Sequence, residues 1–293
     1  MRAFDRVGVV GCGLMGAGIA EVCARAGLDV KVVEADEPAL AAGRKRVVAS
    51  LDRGRRGGKV TEADRAAAIQ RLDFHTDIAA LADRDLVIEA VAERQEVKRA
   101  VFRALDGVLA DPEAVIASNT SSIPIIELAM VMHRPHQVVG VHFFNPVPVQ
   151  RLIEIIPTQL TADAVTERVA AFSTDTLGKT VVRARDRAGF VVNALLVPYL
   201  LSGVRMLESG IASAEDIDNG MVLGCAHPMG PLRLLDLIGL DTARSIAESM
   251  YEEYKEPLYA PPPLLRRMVA AGTLGRKTGR GFYDYAKGSA TPS

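Results

Sequence analysis

The stretch VVGCGLMGAGIA, Val9 to Ala20, constrains this chain more than any other. Gly11, Gly13 and Gly16 stand in the GxGxxG spacing, behind a β-branched run and ahead of an Ala-rich helical pattern, Met15 to Ala26. In a strand–turn–helix of this kind the first glycine permits a tight turn. The second lets the backbone approach a pyrophosphate, and the third lets helix and strand pack closely. The helix N-terminus then presents free N–H groups and the positive end of its dipole to phosphate. A second strand, DVKVVEA, ends near Glu34, where an acid meets ribose hydroxyls in such a unit. Glu34 would repel a 2′-phosphate, so NAD is expected over NADP, with Lys31 and Arg44 nearby in sequence as the counterweight.

The alternation continues. Pro38 opens a long helical pattern, a second patch covers Glu62 to Arg71, and LDFH, DLVIEAV, AVIASN, QVVGVHFF, RLIEII and KTVVRA follow as strands, with a helix over Arg94 to Val108. Strands separated by helices pair in parallel, and the quicker succession of the later ones predicts an antiparallel part. From about Arg185 strand signals stop. AGFVVNALLVPYLLSGVRMLESG reads as one helix, apolar around most of its circumference, with a kink or break expected at Pro198. Ser213 and Asp216 approximate a capping box for the next helix, and a short frayed tail is expected after the glycine-rich GTLGRKTGRGFYDY. The expected architecture is α/β: a Rossmann-type dinucleotide-binding domain over residues 1–184, then an all-helical domain over 185–293.

Composition narrows the function classes. A chain of 293 residues, 49% hydrophobic, with a formal net charge of −1, lacks the basic excess of a general nucleic-acid binder. No apolar run has the length of a membrane span, and the first residues lack a secretory apolar stretch, so a cytoplasmic protein is expected. Cys12, Cys23 and Cys225 are widely spaced; core-filling thiols are expected, with neither a disulfide framework nor a metal site.

The chemistry gathers at predicted strand ends. ASNTSS follows one strand and HFFNP another, and in an open α/β sheet ligands collect at the carboxyl ends of strands. Ser121, His142 and Asn145 therefore converge on one crevice. His142 is the acid/base candidate, because imidazole titrates nearest neutrality. A lone strand histidine is more often a satisfied core residue, but Glu154 inside the apolar RLIEII changes the weighing. A carboxylate there is costly unless paired, and a histidine is its natural partner. Two readings stay open at this point: a dehydrogenase, or a hydrolase using Ser121, His142 and Glu154. Against the second, no GxSxG elbow surrounds Ser121. His75, His133 and His136 lie in polar surroundings, and His227 in a turn. The basic run at Arg53, Arg55, Arg56 and Lys59 is either a solvated face or a clamp for a phosphate-bearing substrate.

Taken together, GCGLMGAGIA, ASNTSS, VHFFNPVP, GFVVNALLVPYL, HPMGPLRLLDLIGLD and GRKTGRGFYDY resemble the L-3-hydroxyacyl-CoA dehydrogenases. The likeness is strongest to single-function 3-hydroxybutyryl-CoA dehydrogenases of actinobacterial type, in order over nearly the whole chain. It implies catalytic roles for His142, Glu154, Ser121 and Asn193. It implies NAD contacts from Gly11, Gly13, Leu14, Met15, Gly16, Glu34, Glu93, Lys98, Ser121, Asn145 and Lys277. Acyl-CoA contacts fall on Ser50, Lys59, Ser121 and Asn193, although the basic spacing near Lys59 differs from the mitochondrial form. That form also carries Pro at Ala188 and Arg at Ala194. The resemblance further implies a homodimer formed through the helical domain, with a carrier-protein-bound hydroxyacyl group as the runner-up substrate.

Overall fold

The computed structural model describes residues 3–285 and 291–292, which form two compact units divided between Arg187 and Ala188. The division falls a little beyond the expected 184/185. Most of the expected tail lies outside the described residues; the backbone of Thr291–Pro292 pairs with Tyr283–Asp284.

The first unit is built on one eight-stranded sheet in the order β3-β2-β1-β4-β5-β6-β7-β8. The strands are β1 Arg6–Val10, β2 Asp29–Val33, β3 Leu72–His75, β4 Leu86–Glu89, β5 Val115–Ser118, β6 Val138–Phe143, β7 Leu152–Pro157 and β8 Thr180–Arg183. All neighbours run parallel except β6 and β7, so the last two strands oppose the first six. The first six follow the doubly wound order 3-2-1-4-5-6. Parallel strands covered on both faces are buried throughout, which explains why β4, β5 and β6 read as continuous apolar runs. Val7, Val9, Ile88, Ala117, Val139 and Ile155 carry the core beneath the helices.

Six helices cross or flank this sheet among the described residues: α1 Leu14–Arg25, α2 Glu37–Arg56, α3 Glu62–Gln70, α4 Gln95–Val108, α5 Ile125–Ala129 and α6 Asp163–Ala171. Their starts are chemically specified. Asp36 accepts from the Ala39 N–H at 2.8 Å to open α2, and Thr61 and Asp64 form a reciprocal capping box on α3.

The second unit is helical: α7 Val192–Glu208, α8 Ala214–Cys225, α9 Pro231–Ile238, α10 Leu240–Tyr254 and α11 Pro263–Ala270. Leu200, Leu201, Val204, Leu232, Leu235 and Met250 form its core. α7 runs through Pro198 without interruption. Proline removes only its own donor there, leaving the carbonyl four residues back, that of Ala194, without its helical N–H. Ser213 caps α8 as expected, accepting from the Asp216 N–H at 3.1 Å. Two buried acids pin the glycine-rich segment that ends the unit. Asp218 accepts from the N–H groups of Leu232 and Arg233 and from the Tyr283 hydroxyl, and Asp236 accepts from those of Phe282 and Tyr283.

Of the cysteines, Cys12 and Cys23 are core thiols whose pKa burial pushes up to about 12. Cys225, expected in the core, is exposed at the end of α8.

Candidate active site

The glycine loop has the geometry its spacing demands. Gly11 sits at φ +88°, and a Cβ there would lie 2.8 Å from the Ala90 carbonyl oxygen. A Cβ on Gly16 would lie 1.8 Å from the Gly11 carbonyl oxygen, so only glycine lets α1 start this close to β1. Gly13 differs: a Cβ would meet nothing within 4 Å. That open space lies at the N-terminus of α1, where no side chain caps the helix. A free helix N-terminus behind an uncluttered glycine turn is a cradle for pyrophosphate, so the residues present fit a dinucleotide. Glu34 follows β2 and accepts from the Cys12 N–H, which sets its carboxylate against the loop.

Across the sheet, the antiparallel register of β6 and β7 places His142 directly opposite Glu154. His142 Nδ1 lies 2.7 Å from Glu154 Oε2, and His142 Nε2 lies 3.2 Å from Ser121 Oγ. Glu154 is fully buried and His142 nearly so. A carboxylate facing Nδ1 holds the proton there, which turns the Nε2 lone pair toward Ser121 and the crevice. Ser121 lies just past β5, and Asn145 is exposed on the turn between β6 and β7.

A network not foreseen from the sequence holds the Ser121 loop. Glu89, at the end of β4, is fully buried and takes Lys98 Nζ at 2.7 Å and the Ser118 hydroxyl at 2.7 Å. Lys98, on α4, also lies 3.1 Å from Glu93. Glu93 accepts from the Thr120 hydroxyl, from the Ser121 N–H at 2.9 Å and from the Ser122 hydroxyl at 3.2 Å. Burial alone would raise the Glu93 carboxyl. The Lys98 ammonium and these donors outweigh it and hold Glu93 below the usual carboxylate range. Asn119 Oδ1 accepts from the Phe143 N–H at 2.9 Å, tying the loop to the end of β6. The signal for Glu89 was present in DLVIEAV, a carboxylate in an apolar strand, as for Glu154. Lys98 is almost wholly buried, and its ammonium lies between these two acids.

The network also separates the two chemical readings. A serine hydrolase needs free backbone N–H groups near its nucleophile to hold an oxyanion. Here the Ser121 N–H donates to a carboxylate, and those of Ser122 and Ile123 donate to the Thr120 hydroxyl oxygen at 3.3 and 3.0 Å. Triad-like spacing is present, but the N–H groups of Ser121, Ser122 and Ile123 are committed to other acceptors and do not offer an oxyanion hole.

The turn after β6 is clamped as well. Lys179, just before β8, donates to the carbonyls of Val147 and Gln150, both at 2.6 Å. Of the residues expected to meet acyl-CoA, Ser50 is half-buried on α2 and Lys59 is exposed beyond its end. Both line a cavity of about 340 Å³ with Arg53. In the second unit, Asn193 is buried in the first turn of α7, and Lys277 is ion-paired to Asp241 at 2.6 Å. His227 shares a hydrogen bond of 3.0 Å with the Tyr199 hydroxyl. Among the described residues no cluster of potential metal ligands occurs, and no helix is long and apolar enough to cross a membrane.

A Rossmann sheet with a glycine cradle, an acid after β2 and an acid/base pair at the sheet's carboxyl edge defines a nicotinamide-dependent dehydrogenase. Residues 6–187 match the model of the 3-hydroxyacyl-CoA dehydrogenase NAD binding domain, and residues 189–285 match the C-terminal domain of the same enzymes. The chain belongs to the 3-hydroxyacyl-CoA dehydrogenase family. It is 58% identical over 283 residues to 3-hydroxybutyryl-CoA dehydrogenase of Mycobacterium tuberculosis, covering 97% of this chain and 99% of that one. The crystal structure of FadB2 from M. tuberculosis superposes with a TM-score of 0.96 at 58% identity, over 97% of this chain and 99% of the other. That of (S)-3-hydroxybutyryl-CoA dehydrogenase from Ralstonia eutropha gives 0.91 at 46% identity, over 97% and 99%.

Proposed function

We propose that this protein catalyses the reversible NAD-linked oxidation of an (S)-3-hydroxyacyl-CoA to the 3-oxoacyl-CoA, with 3-hydroxybutyryl-CoA the leading substrate. The observation that carries the reading is the continuous line Ser121 Oγ, His142 Nε2, His142 Nδ1, Glu154 Oε2 at the edge of a dinucleotide-binding sheet.

In the oxidative direction the nicotinamide supplies the acceptor for the hydride that leaves C3. His142 takes the hydroxyl proton on Nε2 and becomes an imidazolium. Glu154 stabilises that cation across the register and keeps the ring oriented. Ser121 and Asn193 hold the reacting oxygen and the thioester. Glu93, Lys98 and Glu89 hold the Ser121 loop, and Lys179 fixes the turn that carries Asn145. In the reductive direction His142 is the acid and acetoacetyl-CoA the substrate. The Gly11–Gly16 loop, Leu14, Met15, Glu34, Glu93, Lys98, Asn145 and Lys277 stand as the cofactor contacts, with Ser50 and Lys59 on the CoA.

A homodimer through the second unit is supported by Leu195, Ile211 and Leu223 of that unit, apolar side chains more than two-thirds exposed. A cytoplasmic location is supported by the near-full-length likeness to bacterial relatives. The testing experiment is NADH and NADPH oxidation, followed at 340 nm, on 3-oxoacyl-CoA esters of increasing chain length and on an acetoacetyl carrier protein. Fastest NADH consumption on acetoacetyl-CoA is expected. No consumption on any CoA ester, or preference for the carrier-bound substrate, would overturn the reading.

A further inference from the structure

Two cavities of the first unit share a wall. One, of about 510 Å³, lies between α1, the middle of α2 and the Asn145–Pro148 turn. The other, of about 340 Å³, lies toward the ends of α1 and α2. Ser50, Arg53, Pro146 and Pro148 line both, so together they form a trough from Leu14 to Lys59. Its far end is basic, with Arg25, Arg53 and Lys59.

One acid stands against this trend. Glu21, on α1, lines the basic cavity yet is only 1% exposed. Its Oε2 has no hydrogen-bond partner. The Arg25 guanidinium lies 3.6 Å from Oε1, beyond good hydrogen-bond range. Burial raises its carboxyl pKa, and the Ser50 hydroxyl, Arg25 and Arg53 offset only part of that. The rest of the buried face of α1 is Gly, Ala, Ile and Cys, so packing alone does not call for a carboxylate. A buried carboxylate oxygen left without a donor costs stability. Such a group in a native protein calls for an explanation, among them a functional role or a bound molecule that completes it. Rotation about the last side-chain bond exchanges the two oxygens, so either can meet that ligand.

We propose that Glu21 is a specificity-determining residue for the thioester's handle: its carboxylate accepts a hydrogen bond from a neutral N–H or O–H donor while Arg53 and Lys59 hold the adjacent phosphate. This rests on the acyl-CoA reading above. Two parts of the handle present such a donor beside a phosphate. One is the pantetheine arm, with its amides and hydroxyl next to the diphosphate. The other is the adenine amino group next to the 3′-phosphate. The carboxylate repels a phosphate from its own end of the cavity, which sets the direction in which the handle lies.

The test compares wild type, Glu21→Ala and Glu21→Gln with NADH and either acetoacetyl-CoA or acetoacetyl-pantetheine, alongside thermal melting. Glu21→Ala should raise KM for acetoacetyl-CoA about tenfold, with kcat and the KM for NADH unchanged. Its Tm should equal or exceed that of wild type, since an unsatisfied buried group is gone. Glu21→Gln keeps an acceptor oxygen and should stay within about threefold of wild type in KM. A penalty that persists with acetoacetyl-pantetheine assigns the donor to the pantetheine arm, and a penalty seen only with CoA assigns it to adenine. An unchanged KM in Glu21→Ala, or a joint fall of kcat, both affinities and Tm, overturns the assignment while wild-type turnover leaves the dehydrogenase reading intact. Wild-type protein that neither turns over acetoacetyl-CoA nor binds CoA by calorimetry overturns both.

Discussion

Glu154→Gln isolates the electrostatic part of the site, because it preserves size and leaves a polar group against His142. Glu154 is fully buried with its Oε2 2.7 Å from Nδ1, so water does not replace the lost charge. A hydrogen bond to a charged group contributes about 1.5–3 kcal/mol, roughly twice a neutral one. The contribution of Glu154 grows as His142 gains its proton, and an amide cannot follow that change. A loss of about 1.5–3 kcal/mol in the transition state is expected, which at about 1.4 kcal/mol per tenfold is a fall of about 10- to 150-fold in kcat. The ground state binds cofactor through other residues, so the KM for NADH should not move. The assay is NADH oxidation with acetoacetyl-CoA at 340 nm, with a thermal melt to confirm folding. A kcat within about threefold of wild type, or a KM for NADH that rises in step with the loss, would refute the role given to the carboxylate.

Three further outcomes follow from the same geometry. Gly16→Ala places a methyl 1.8 Å from the Gly11 carbonyl oxygen and should abolish NADH binding in a fluorescence titration; retained affinity would show that the loop is not the cradle. Lys98→Met leaves Glu89 buried without its cation and should cost about 3–5 kcal/mol in a urea denaturation series, against under about 1 kcal/mol if the pair is inconsequential. The Glu93 carboxyl is lowered in the folded protein, so its contribution is complete above the unfolded carboxylate pKa and is lost as pH falls through the lowered value. Glu93→Gln should therefore flatten the acid limb of the stability–pH curve, and an unaltered limb would contradict the assignment.

Much of the fold was legible because its signals are local. A β-branched run, a glycine turn and an Ala-rich stretch specify β1, the loop and α1 without distant information. The pairing of His142 with Glu154 was also legible, for an energetic reason: each is a polar group in an apolar strand, and each needs a partner. Only the register of β6 against β7 could set them face to face. The same reasoning applies to Glu89, whose partner Lys98 sits on the following helix, a contact that periodicity does not reveal. Family resemblance pointed to Lys98 as a cofactor contact; it did not reveal the two carboxylates that its ammonium meets. Glu21 was missed because an acid on the amphipathic α1 looks solvated until the ends of α1 and α2 close over it. Proline at position 198 marked a kink or a break, and the helix continues through it, since surrounding packing overrides a single missing hydrogen bond. The exposure of Cys225 follows from its place in the last turn of α8, which spacing between cysteines does not report.

In the proposed mechanism His142 moves the proton in an NADH-linked reduction of a 3-oxoacyl-CoA. The most direct measurement is single-turnover NADH oxidation with acetoacetyl-CoA by wild type and His142→Ala, after NADH affinity has been matched by fluorescence. Turnover by wild type is expected, with a loss of about 10²–10⁴-fold in the variant at unchanged NADH affinity. Turnover by His142→Ala at the wild-type rate would contradict it.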